Sequence, residues 1–324
     1  MRILFFGDGP WATNSLRRLT EEGWTLLGVV IRVRPTDPAL LTAAEALKLP
    51  VFQPKQVNSA DFVAQVAGVR PDLNLSVSYD QILRRPILGT APLGFINFHA
   101  GKLPYYRGRN VINWAIINDE REIGMTAHYV DEGIDTGDIL LQRTLPIAWT
   151  DTYGDVLGNV IAAFPDLVAK AVRLIASGQA QRQPQAHLPG TYLAGRGEGD
   201  EWLDWSDSSR DLYNKVRAIT HPGPGARTLL GDQVVIIWRS FYDPSWPVYR
   251  ATPGQVVGRR PGEGVLVKTG DSTLLVQAVQ VKDGEIHLPT WRIGTRLGIN
   301  LPSYLRQLQA RVERLEQTIG RLNA

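Results

Sequence analysis

Asn97 and His99 stand two residues apart at the end of the apolar run GFINFH (94–99), and a loop dense in Gly, Pro, Tyr and Arg follows at once. If the run is a strand, its side chains alternate, so the amide and the imidazole share one face. A polar pair on an apolar strand needs partners, because burying it unsatisfied is costly. Imidazole titrates near neutral pH and is suited to moving protons. In the loop, Arg107 and Arg109 flank Gly108, and Tyr105 and Tyr106 precede them. Two arginines so spaced suit bidentate capture of phosphate. Asp135 lies further on, in DEGIDTGD (131–138). On these residues alone the bland readings stay open: a structural Asn, a hydrogen-bonded core His, a solvated basic loop, and an Asp serving ordinary turn chemistry before Thr-Gly.

The elements that must position these groups are legible on both sides. Apolar runs at 2–6, 24–31, 72–77 and 94–99 read as buried strands, and the segments between them carry helical faces, such as Leu16 with Leu19. Strands alternating with helices predict a parallel α/β sheet. Such sheets hold their ligands outside the carboxyl ends of the strands, which is where Asn97 and His99 fall. A helix over 111–119, a strand, turn and strand over 124–146, and a long helix over 151–176 complete this unit.

Residues 177–201 turn polar and Gly-rich and read as a linker. Beyond it, Asp207 or Ser208 can cap a helix whose apolar face is Leu212, Val216 and Ile219. Short β runs at 233–239, 254–258, 263–268 and 273–281 predict a small β-rich domain. The expected organisation is 1–199, 200–300 and 301–324. In the last segment Leu301, Leu305, Leu308, Val312, Leu315, Ile319 and Leu322 recur at alternating spacings of four and three, a heptad seam. Leu305, Val312 and Ile319 fall at one core position and four leucines at the other, the sorting a parallel dimer prefers. Arg311 and Glu316 flank the seam. The expectation is a homodimer to which this tail contributes, against the alternative of a helix packed on its own subunit.

Composition bounds the rest. The chain has 324 residues, 44% hydrophobic, with 35 Lys plus Arg against 32 Asp plus Glu. A net charge of +3 is weak support for a nucleic-acid surface. The absence of cysteine excludes disulfides, thiolate metal sites and a cysteine nucleophile. No apolar run approaches the length of a membrane span, and a soluble, cytoplasmic protein without a metal is expected. Gly7-x-Gly9 lacks the third glycine of a dinucleotide fingerprint, since Ala12 stands there.

Together, the Asn-Phe-His strand end, the LPYYRGR loop and DEGIDTGD resemble the formyltransferase family that uses 10-formyltetrahydrofolate. LDWSDSS and NKVRAITHPGPGA resemble the start of that family's second domain. The resemblance implies a Rossmann-like catalytic domain, an OB-like C-terminal domain and a catalytic trio of Asn97, His99 and Asp135. His99 would be the general base, Asn97 would stabilise the oxyanion and Asp135 would orient the imidazole. It also implies a folate site formed by Ser78, Tyr79, Ile82, Leu83, Ile134 and Asp138, and an acceptor site formed by Gly9, Tyr105, Arg107, Arg109 and Asn113. His128 and His221 read as structural, His287 as surface, and His187 falls in the linker.

The acceptor is the open choice. YRGRNVINWAI resembles the enzymes that formylate nucleotide-linked amino sugars, the 4-amino-arabinose type among them. Methionyl-tRNA is the alternative, but the stretch 31–50 carries only Arg32, Arg34 and Lys48 as basic residues. A nucleotide-linked amino sugar is therefore the expected substrate, with no nucleic-acid or membrane partner. A formate-releasing hydrolase would keep the same trio, and a non-catalytic binding module would not need it.

Overall fold

RILFF, apolar throughout after its first residue, forms β1 (Arg2–Gly7) in the interior of a sheet, and Ile3, Leu4, Phe5 and Phe6 are fully buried. A strand covered on both faces reads as a continuous apolar run, not an alternating one. In this computed structural model residues 1–34, 38–186, 192–298 and 301–322 are described, and His187 and the expected junction at residue 300 lie outside them.

The chain continues as α1 (Gly9–Glu21), β2 (Thr25–Ile31), α2 (Ala39–Ala46), β3 (Val51–Phe52), α3 (Ala60–Val69), β4 (Leu73–Val77), α4 (Arg85–Leu88) and β5 (Phe95–His99). After these come β6 (Arg107–Gly108), α5 (Val111–Ile117), β7 (Glu122–Tyr129), β8 (Ile139–Pro146), α6 (Tyr153–Ala176) and β9 (Tyr192–Leu193). The large sheet has the order β3-β2-β1-β4-β5-β7-β8. Its first five strands are parallel, and β7 runs antiparallel to both β5 and β8. The winding reverses between β1 and β4, so a crevice opens beyond their carboxyl ends. Pro10 stands in the first turn of α1, and Thr152 with Asp155 closes a capping box on α6. Phe6 packs against Phe95 and Tyr79, with ring centroids 4.9 and 5.5 Å apart, joining the core to the loop after β4.

The chain divides into two compact units, one through Gly197 and one from Glu198. The second holds α7 (Ser209–Ile219), capped by Ser208, then β10 (Ala226–Leu230), β11 (Gln233–Phe241), β12 (Val256–Arg260), β13 (Gly264–Lys268) and β14 (Thr273–Val281). They form an antiparallel sheet in the order β10-β11-β14-β13-β12. The expected α/β domain, β-rich domain and terminal helix are thus present, with β10 one strand more than the sequence suggested. The heptad segment is α8 (Leu301–Leu322). Among the described residues no helix is long and apolar enough to cross a membrane.

Candidate active site

Asn97 and His99 project from the end of β5 into a cleft of about 550 Å³ that Asp135 also lines. The strand alternation places the first two, and the loop between β7 and β8 brings Asp135 across. Nδ1 of His99 lies 3.7 Å from Asp135 Oδ2. On the other side of the ring, Nε2 is 2.7 Å from the carbonyl oxygen of Tyr106. A carbonyl only accepts, so Nε2 carries the proton and Nδ1 is the basic atom of the neutral ring. Gly101 makes room for this contact: a Cβ there would lie 2.4 Å from both His99 Nε2 and the Tyr106 oxygen.

Asp135 has a left-handed backbone, φ 54°, which points its carboxylate back at the strand ends. Oδ2 accepts the Gly108 N–H at 2.9 Å, and Oδ1 lies 3.5 Å from His128 Nε2. Burial pushes its pKa up, but the charges that His99 and His128 carry when protonated, and the Gly108 amide, outweigh it. The carboxyl is held well below the usual range. It therefore stays ionised.

His128 stands opposite Asn97 in the β5–β7 register and is 2% exposed. Its Nδ1–H donates to the Tyr129 carbonyl at 2.8 Å, which leaves Nε2 to accept from the Asn97 amide at 3.2 Å. One Asn97 N–H is thereby fixed and the other remains for the cleft. The separation of 31 residues between His128 and Asn97 leaves no local signal of this contact in the sequence.

The loop after β5 departs from its expected arrangement. Arg109 lines the cleft, and Asn113 does so from the start of α5. Arg107 does not: it is 2% exposed and donates through Nη2 to Gln185 Oε1 at 2.9 Å. Gln185 Nε2 in turn donates to the carbonyls of Asp135 and Gly137 at 3.0 and 2.6 Å. Arg107 therefore braces the Asp135 turn from behind. Tyr105 is half exposed and outside the cleft lining. Tyr106 anchors the loop through its hydroxyl, which donates to Glu120 at 2.5 Å; burial and that bond push its pKa up to about 12. Gly108 must be glycine, since φ is 98° and a Cβ would lie 2.2 Å from the Leu193 carbonyl oxygen.

Of the residues expected around folate, Ser78 and Tyr79 line the cleft. Ser78 is left-handed, φ 61°, and its carbonyl and hydroxyl both accept from Arg32 Nη2. Arg32 also pairs with buried Asp8 at 3.2 Å and lines the cleft, as do Arg196 and Tyr153, none of which the sequence reading chose. Burial raises the pKa of Tyr79. Ile82 and Ile134 are exposed at 61% and 50%, whereas Leu83 is buried in the core with Leu4 and Phe6. Asp138 is half-buried, and its carbonyl accepts from the Tyr129 N–H at 2.9 Å. Gly9, φ 75°, is buried at the start of α1. No group of three metal-ligating side chains occurs among the described residues.

A model of formyl transferases matches residues 1–171, and one of the formyl transferase C-terminal domain matches residues 197–289. A methionyl-tRNA formyltransferase of Pelotomaculum thermopropionicum is 36% identical over 292 residues, 87% of this chain and 91% of that protein. One of Symbiobacterium thermophilum is 38% identical over 290 residues, 86% of this chain and 88% of that protein. Among solved structures, the sugar 3N-formyl transferase WlaRD superposes with a TM-score of 0.64, covering 88% of this chain and 99% of that one, at 19% identity. That likeness is one of fold. The expectation of an amino-sugar acceptor, and with it that of no nucleic-acid partner, is overturned by the tRNA enzymes, which are far more similar over both domains. Two observations explain the misreading. Arg107, half of the supposed phosphate clamp, is buried on Gln185, and net charge says nothing of where cations stand: Arg109 and Arg196 line one cleft.

Proposed function

The chain belongs to the formyl transferase family, and we propose that it formylates the amine of methionyl-tRNA. It is a formyltransferase that uses 10-formyltetrahydrofolate. What carries the choice of acceptor is the identity of 36–38% to methionyl-tRNA formyltransferases, sustained over 86–87% of the chain. Arg109 and Arg196 in the same cleft support it, as cations suited to the phosphates at the aminoacyl end of an RNA.

The residues fit a folate. The cleft is roomy, the chain reverses at Ser78, and Ser78 and Tyr79 line it, with exposed Ile82 and Ile134 on the neighbouring loops outside the lining. Ser78, Tyr79 and the 133–138 turn would hold the co-substrate, which supplies the formyl group. The protein's part is proton movement and charge stabilisation. Nδ1 of His99 takes a proton from the acceptor amine, and Asp135 stabilises the imidazolium so formed. The free N–H of Asn97 donates to the formyl oxygen as it gains charge. His99 then returns the proton to the departing nitrogen.

The test is formylation of charged tRNA. Purified protein, 10-formyltetrahydrofolate and methionyl-tRNA should yield N-formylmethionine after mild base hydrolysis of the ester. Uncharged tRNA and free methionine should yield none. Formate release without acceptor formylation would point instead to a hydrolase.

A further inference from the structure

α8 lies beyond the last residue matched by either family model. Its apolar seam is uncovered. Leu305, Leu308, Val312, Leu315 and Ile319 are 50, 40, 52, 55 and 56% exposed. Single exposed leucines are ordinary, but five in strict four-three register on one helix face are not. About four turns of apolar stripe, Leu305 to Ile319, left in water forfeit the burial that normally sustains a helix of this length.

We propose that α8 is one strand of a parallel two-stranded coiled coil, and that its partner is α8 of a second copy of this chain. Three features select that occupant. The seam sets β-branched Val312 and Ile319 at the position of Leu305, and Leu308 and Leu315 at the other, which favours two strands in parallel. In a parallel pair, the residue just before one core position faces the residue five further along the partner. Arg311 then faces the partner's Glu316, and by symmetry Glu316 faces the partner's Arg311, so the helix is complementary to itself. An antiparallel pair would set flanking positions of the same kind together, Arg311 near Tyr304 or Thr318 and Glu316 near Gln309, with no opposite charges meeting. The outward positions Arg306, Glu313, Arg314 and Gln317 are polar, as the solvent side of a two-stranded coil requires. The proposal is independent of the acceptor.

The test uses the full chain. Sedimentation equilibrium should find a dimer. Leu308→Glu with Leu315→Glu should raise its dissociation constant by at least roughly a hundredfold, since two buried leucines per strand are lost. Formylation per chain should stay unchanged, which also shows that the variant is folded. Arg311→Glu should weaken the dimer about tenfold, Glu316→Arg likewise, and the two together should restore it to within about threefold. Because the chain contains no cysteine, Leu305→Cys is a clean reporter of direction. In parallel register the two thiols meet, and oxidised glutathione should link nearly all chains. In an antiparallel pair centred on Val312 they stand about 20 Å apart and do not link. A monomeric wild type, a dimer indifferent to the leucine changes, or a failure of Leu305→Cys to cross-link would each overturn the proposal.

Discussion

The imidazole of His99 donates its Nε2–H to the carbonyl oxygen of Tyr106, 2.7 Å away, and so presents Nδ1 as the base, 3.7 Å from the carboxylate of Asp135. The tautomer is thus set by backbone geometry in the loop, not by the carboxylate. Asp135 acts later, when the ring is charged.

His99→Ala should lower turnover by roughly 10²–10⁴-fold, the usual worth of a positioned general base. Gly101→Ala makes a sharper test, because it leaves every polar group in place. Its Cβ would occupy the space of the His99–Tyr106 contact. Displacing the ring should cost about 10²-fold in kcat while folate binding, followed by fluorescence, changes little. Near-normal turnover in a folded Gly101→Ala protein would contradict the assignment of Nδ1 as the base.

Asn97→Ala should cost about 10²–10³-fold in kcat if its amide stabilises the developing oxyanion. His128→Leu leaves Asn97 present but removes the acceptor that orients it. It should lower kcat by about tenfold or more, with both KM values nearly unchanged. A change in KM alone would return His128 to a structural role.

Asp135 titrates below its ordinary value in the folded protein: burial raises it, but the charges that His99 and His128 carry when protonated and the Gly108 amide outweigh that. The unfolded chain therefore holds the proton more tightly. Stability from this carboxylate is complete above the unfolded value, near 3.8, and is lost as pH falls through the lower folded one. Urea midpoints should show Asp135→Asn well below wild type at neutral pH and approaching it as the pH drops below about 4. A gap that widens in acid would contradict this.

Arg107 and Arg109 should separate cleanly. Arg107→Ala leaves Gln185 Oε1 without its donor and should cost about 1–3 kcal/mol of stability in urea unfolding, with a fall in kcat as the Asp135 turn loosens. Arg109→Ala should raise the acceptor KM roughly tenfold and leave stability alone. The reverse pattern would exchange their roles.

Much of this was readable from local pattern. Continuous apolar runs identify the parallel strands, period-two alternation puts Asn97 and His99 together, and the four-three spacing marks α8. What was not readable came from reversals and distance. Positive φ at Tyr106, Gly108 and Asn110 turns the loop so that Arg107 and Arg109, two apart, do not share a face as they would on a strand. Gln185 sits 50 residues from the Asp135 carbonyl it holds, in a stretch that reads as linker, and Arg32 reaches Ser78 across 46. The acceptor was misread because a loop motif and a net charge were asked to report a local electrostatic surface, which depends on where side chains converge.

The central claim is that the cleft serves the amine of an aminoacyl-tRNA. The most direct measurement is the initial rate of formyl transfer from labelled 10-formyltetrahydrofolate to methionyl-tRNA, set beside the rate with a panel of nucleotide-linked amino sugars under the same conditions. The account predicts rapid transfer to methionyl-tRNA that disappears in His99→Ala, with negligible transfer to any sugar. Efficient formylation of an amino sugar, with methionyl-tRNA left unmodified, would contradict it.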